Sequence, residues 1–178
     1  SRDKTGKIID SYVKKDNRIR VIHKKNEGVS VARNIGIDNA TGDFIGFVDG
    51  DDTVDFNMFE VLIKNAIEFN ADISHCGYKM IFPSRIDYYY DTEEIIVQDN
   101  YNGLKDLLKG DKIEPGLWNK IYKHSLFEDI RLNPEIKENE DLLVNFYLFK
   151  KSKKSVFYDK CMYNYIMRNG SSTTQINK

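Results

Sequence analysis

Three carboxylates crowd into four positions of this chain: Asp49, Asp51 and Asp52, with Gly50 between the first two. Such a cluster repels itself unless a cation or strong donors sit against it. Aspartates one residue apart can present hard oxygens to Mg²⁺ or Mn²⁺ while a phosphorylated ligand completes the coordination shell. The alternative is an acidic surface turn. Gly50 would let the backbone turn closely around a ligand. The acid follows directly on residues 44–48, an apolar run of the kind a strand shows when helices cover both faces of its sheet. The carboxyl end of such a strand is where open α/β sheets bind ligands.

The surrounding elements alternate. Ile8, Ile9, Tyr12 and Val13 share a helical face within residues 6–15, and residues 18–23 lean to β through Ile19, Val21 and Ile22. Asn26-Glu27-Gly28 turns the chain into a helix over residues 30–40, which Thr41-Gly42 ends. A helix over 56–69 with Phe59, Leu62, Ile63, Ala66 and Ile67 as its stripe precedes a strand over 71–82. Residues 83–91 form a loop or hairpin edge leading to 94–98, and Tyr88, Tyr89 and Tyr90 there are either edge-strand residues or a surface for stacking sugars. A short helix spans 101–108. Glu138-Asn139-Glu140-Asp141 opens another whose apolar residues are Leu142, Leu143, Phe146 and Phe149, and 155–165 gives one or two β segments before a polar tail at 168–172. The order predicts an α/β fold with a mostly parallel sheet flanked by helices.

Composition narrows the function. The 178 residues suffice for one core, and 40% apolar with 31% charged residues is ordinary for a globular protein. No run approaches the roughly 18 apolar residues of a spanning helix, and the first residues lack the apolar core of a signal peptide, so a cytoplasmic address is expected. Basic and acidic residues balance at 27 against 28, which gives no global field for nucleic acid. Lys150, Lys151, Lys153 and Lys154 read as a solvated cationic helix end, or as a peripheral contact with membrane headgroups. Cys76 and Cys161 have no metal or redox spacing and are expected to be buried thiols, while His23, His75 and His124 are expected to be structural.

Taken together, HKKNEGVSVARNIGIDNATGDFIGFVDGDD and KENEDLL resemble the family 2 glycosyltransferases, the inverting GT-A group that builds bacterial polysaccharides. The resemblance runs from Ser1 to about Ser172, through an N-x-G-x-x-x-A-R-N-x-G helix, a D-x-D strand end, an L-W-N-K-x-Y segment, an E-D helix start and an arginine-bearing tail. One departure stands out. Family members begin with a strand ending near D-D-G-S-T-D, and Ser1-Arg2-Asp3 matches only the end of it, so the first strands of the family fold are expected to be missing. The resemblance thus implies one compact GT-A domain, with residues 1–82 forming the remaining nucleotide-sugar half and 83–178 the acceptor side.

It also implies roles. Asp51 would ligate Mn²⁺ or Mg²⁺, Asp49 would contact the donor sugar or ribose, and Asp52 would support either. Arg33 would meet the diphosphate, with Asn26 and Gly28 as further substrate contacts and Asn34 and Gly36 as packing or backbone-approach positions. Asp141 would be the catalytic base, Glu140 would orient the acceptor, and Arg168 would close over the diphosphate. Trp118 is either an apolar platform for a sugar ring or a core residue. The expected activity is transfer of a sugar, with inversion, from a nucleotide-diphosphate donor, most simply a UDP-sugar, to a glycan or lipid-linked acceptor. The rival is a non-catalytic carbohydrate or protein interaction module of the same shape. An open sheet edge, against which the first helix should pack, would invite homo-oligomerisation.

Overall fold

A computed structural model describes residues 3–89, 91–110 and 112–168. The expectations placed on Ser1, Arg2, Tyr90 and residues 169–172 lie outside that set. Five α-helices occur in it, α1 (Thr5–Val13), α2 (Val29–Asn39), α3 (Met58–Glu68), α4 (Asn100–Lys109) and α5 (Glu140–Lys151). The strands are β1 (Phe44–Gly46), β2 (Thr53–Val54), β3 (Ile73–Ile81), β4 (Ile86–Tyr89), β5 (Ile95–Asp99), β6 (Lys120–Lys123) and β7 (Lys154–Ile166). No helix among the described residues is long and apolar enough to cross a membrane.

All seven strands join one sheet, in the order β1-β6-β3-β7-β2, with β4 added beside β3 and β5 beside β7. The α/β architecture is as expected, but the sheet is mixed where a mostly parallel one was expected. β3 and β7 form the long parallel pair. β6 lies between β1 and β3 and runs antiparallel to both, while β2, β4 and β5 also pair antiparallel. Side-chain periodicity encodes which face a residue takes, not which way the neighbouring strand runs.

Two apolar layers sandwich this sheet. Adjacent strand residues point to opposite faces, so Ile121 and Cys76 join Met58, Leu62 and Ala66 of α3, while Tyr122 and Ile73 join Leu107 of α4 and Val144, Leu148 and Phe149 of α5. The buried side of α5 is therefore Val144, Asn145, Leu148 and Phe149, only partly the predicted stripe, and Ile63 and Ile67 of α3 remain exposed. Asp99 caps α4, its carboxylate accepting from the Asn102 amide at 2.8 Å. β1 is shorter than predicted, and Val48, beyond its end, is exposed; within the strand Ile45 joins the layer that holds Ile37 of α2, and Phe44 packs on the layer that holds α3.

Residues 18–23 form no strand. Among the described residues β1 bonds on one side only, to β6, and no ladder receives the β-branched side chains at 19–22. Arg20 instead donates to the carbonyl of Asn39 at 2.7 Å. Helix α1 buries no residue, and Ile8, Ile9, Tyr12 and Val13 are all exposed, contrary to the expectation that it would pack on the sheet edge. Gly46 is closely packed, since a Cβ there would stand 2.7 Å from the Phe59 ring, whereas a Cβ on Gly36 would meet open space, contrary to its expected packing against the strand.

Candidate active site

The three aspartates that follow β1 part company in three dimensions. Asp52 is spent internally: its carboxylate accepts from the Tyr163 hydroxyl at 2.8 Å and from the Ile166 amide at 2.9 Å, while burial raises its pKa. Tyr163 in turn accepts from the Asp49 amide at 3.2 Å, so β7 holds the turn in place. Asp51 is exposed, and its carbonyl accepts from Arg168 at 2.7 Å. Asp49 points to α2 and accepts from Arg33 at 3.1 Å.

Arg33 is the hub. Its side chain is 12% exposed and contacts Asp49, Glu140 at 3.4 Å and Asp141, 108 positions from it, and so joins the turn after β1 to the first turn of α5. Arginine suits this place because a planar guanidinium offers a fork of donors and remains charged when partly buried. Burial is the largest influence on Asp141 and pushes its pKa up to about 6; Glu140 and Asp49 add to the rise, while Arg33 and a backbone hydrogen bond from Leu117 oppose it. Asp141 is thus ionised at neutral pH yet a stronger base than an exposed aspartate.

Beside Asp141 opens a cavity of ≈ 400 Å³. Glu140, Asp141, Trp118, Tyr78, Tyr165 and Glu114 contribute to its walls. Trp118 packs in the core, stacked on Tyr163 with ring centroids 4.6 Å apart, and also lines the cavity. An aromatic face next to carboxylates is a surface that a sugar ring can use, C–H groups on the ring and hydroxyls on the oxygens.

The structure therefore brings Asp49, Arg33, Glu140, Asp141 and Trp118 together and carries Arg168 onto the Asp51 turn. Asn26 and Gly28 remain at the exposed entrance to α2, where the Asn26 side chain accepts from the Gly28 amide at 3.2 Å. Asn34 pairs reciprocally with the backbone of Leu132, at 2.8 and 2.9 Å, and so anchors α2 to a distant segment, not to the strand. His23 pairs with Asp10 on the surface, His124 meets the Gly42 carbonyl, and His75 is fully buried. Cys76 and Cys161 are buried thiols. No three His, Cys, Asp or Glu side chains converge as a metal site among the described residues. A cation at Asp51 would therefore take one protein oxygen and draw the rest of its shell from phosphate and water, which suits a hard divalent ion.

Sequence reasoning missed Glu114, Tyr78 and Tyr163. No local motif marks them; they reach the site through strand pairing and a loop. The Tyr78 phenol is raised by burial and by the neighbouring Glu114.

Residues 1–131 match the family model described as glycosyl transferase family 2. The glycosyltransferase GlyA of Streptococcus pneumoniae is 32% identical over 96% of this chain, which covers 26% of GlyA. The uncharacterized glycosyltransferase EpsJ of Bacillus subtilis is 33% identical over 98% of this chain, which covers 52% of EpsJ. The chain thus spans from about a quarter to about half of these relatives. A crystal structure of residues 1–349 of Staphylococcus aureus TarS with UDP-GlcNAc superposes with a TM-score of 0.80 at 21% identity, covering all of this chain and 50% of that one, and this likeness speaks for the fold.

Proposed function

Since the chain belongs to glycosyl transferase family 2, we propose that the cavity beside Asp141 receives the acceptor of an inverting sugar transfer from a nucleotide-diphosphate donor. Asp141 takes the proton of an acceptor hydroxyl while that oxygen attacks the anomeric carbon. The bond from that carbon to the diphosphate breaks on the opposite side, and the diphosphate leaves with the electron pair. Glu140 orients the acceptor, Trp118 supports its ring, and Asp49 contacts the donor sugar or ribose. Arg33 is the cation available to the diphosphate, which competes for it with Asp141 and thereby releases the base. Asp51 would hold Mn²⁺ or Mg²⁺, which supplies positive charge to the leaving diphosphate when bound. Arg168, docked on the same turn, adds a second cation there.

The observation that carries this reading is a carboxylate poised near pH 6 on the wall of an aromatic cavity. The donor is expected to be a UDP-sugar, in keeping with the UDP-GlcNAc bound by TarS, and the setting to be bacterial-type glycan or polysaccharide synthesis. The test is a screen of nucleotide sugars with manganese and magnesium compared, read as acceptor-dependent release of nucleoside diphosphate. Turnover should drop by roughly 10²–10⁴-fold in Asp141→Asn while donor binding persists. Manganese should bind well only with UDP present, and Asp51→Asn should remove that gain. Glycan binding with neither donor binding nor turnover would instead establish the interaction-module reading.

A further inference from the structure

Behind the cavity lies a charge that the chemistry above does not use. Lys120 is fully buried, with 0% of its surface exposed. Its ammonium donates to the carbonyls of Glu114 at 2.5 Å and Gly116 at 2.8 Å, and to the side-chain oxygen of Asn119 at 2.8 Å. A lysine ammonium has three N–H groups and no acceptor, so three acceptors match its protonated form. Burial still pulls its pKa down to about 8. An ion placed in a core at such cost is weak evidence of stabilisation, which directs attention to what it holds.

All three acceptors belong to residues 114–119. The same segment is gripped from α5 by Asn145, itself fully buried, which donates to the carbonyls of Pro115 at 2.6 Å and Gly116 at 3.1 Å and accepts from Tyr122 at 2.7 Å. Asn119 sits in the left-handed region at φ 57° and is tied to Cys76 of β3 through both its amide side chain and its carbonyl. The segment so fixed supplies Glu114, Pro115, Gly116 and Trp118 to the cavity wall. It also supplies the Leu117 amide that bonds to Asp141.

We propose that Lys120 is a positioning residue: its buried ammonium sets the path of residues 114–118, so that the Leu117 amide meets Asp141 and Trp118 stands as the cavity wall. The inference rests on Asp141 being the base, but its effects can be read without turnover. Trp118 is the only tryptophan in the chain, so its fluorescence reports the position of this segment.

The experiment uses Lys120→Met, which keeps the length and removes the donors, and Asn145→Ala, which releases the Pro115 and Gly116 carbonyls of the same segment without changing the charge. With circular dichroism unchanged, both variants should show red-shifted Trp118 emission and loss of protection from acrylamide. In both, the carboxyl titration of Asp141, followed by carbon NMR and assigned by its absence in Asp141→Asn, should move upward as the Leu117 bond is lost. A folded Lys120→Met with native quenching and a native midpoint would overturn the proposal. So would a shift in Lys120→Met alone, which would mean action through charge, or the unfolding of both variants, which would assign these residues to the core. If Asp141→Asn left transfer intact, only its reading as the base would fail, whatever the fluorescence shows.

Discussion

Asp141 should be held at the expense of stability, and that expense can be measured without a substrate. Its carboxyl rises from the ordinary 3.8 to about 6. The folded protein therefore binds a proton there more tightly than the unfolded chain does. By linkage, the contribution is fully favourable below 3.8 and is lost as the pH rises through about 6. At about 1.4 kcal/mol per pH unit, the ionised carboxylate disfavours the fold by roughly 3 kcal/mol at neutral pH. The attraction of Arg33 is already inside that figure, because the rise to about 6 is what remains after the guanidinium has opposed it. Asp141→Asn resembles the protonated acid in shape and charge. In urea unfolding it should be more stable than the parent at neutral and alkaline pH, by up to about 3 kcal/mol less whatever the amide loses in hydrogen bonding. The two stabilities should converge toward the acid end of the range. Parallel stability curves, or a variant weaker than the parent at neutral pH, would refute the claim that burial dominates this carboxyl. The variant predicted to lose turnover would then be the more stable protein, an exchange familiar where a site needs an uncomfortable group.

The other predictions follow from burial and close contact. His75 is fully buried and stacked on Phe157 at 4.9 Å, and neither ring nitrogen has a partner among the described residues. Burial lowers its pKa well below 6.5, so its contribution is intact above that value and lost as the pH falls beneath it; His75→Phe should flatten that acid loss in urea titrations, and an unchanged slope would count against it. Gly46→Ala would bring a Cβ to 2.7 Å from the Phe59 ring and 3.4 Å from the Lys120 carbonyl. The ring is half-buried and can shift, so the loss should be near the low end of about 1–3 kcal/mol, read as a fall in the urea midpoint; no fall would show that the sheet has slack there. Glu114, Glu140 and Asp141 line the cavity, and among the described residues no lysine or arginine lines it. By repulsion, methyl glucuronide should bind more weakly than methyl glucoside in a saturation-transfer experiment, and Glu114→Gln should narrow the difference.

Much of the site was written locally. Asp49 follows an apolar run, Arg33 falls within a helix opened by a glycine turn, and Glu140 and Asp141 begin another helix where the dipole favours acid; each is a matter of neighbours within a few residues. The family motifs added roles to those positions. What local pattern could not contain was how the sheet is threaded. β6 enters between β1 and β3, and this brings Trp118 to Asp141 and buries Lys120. Strand direction leaves no mark on periodicity, which is why a mostly parallel sheet was expected and a mixed one is found. For the same reason residues 18–23 read as a strand: their side chains favour one, but a strand exists only where a neighbour completes its hydrogen bonds. The division of labour among the aspartates was likewise decided at a distance. Tyr163 and Ile166, more than a hundred positions away, claim Asp52 and leave Asp49 to Arg33 and Asp51 to solvent. The sequence by itself determined which charges the chain would have to place and the helices and strands that carry them. Tertiary structure decided which were buried and paired, because burial and pairing are properties of contacts between segments far apart in the chain.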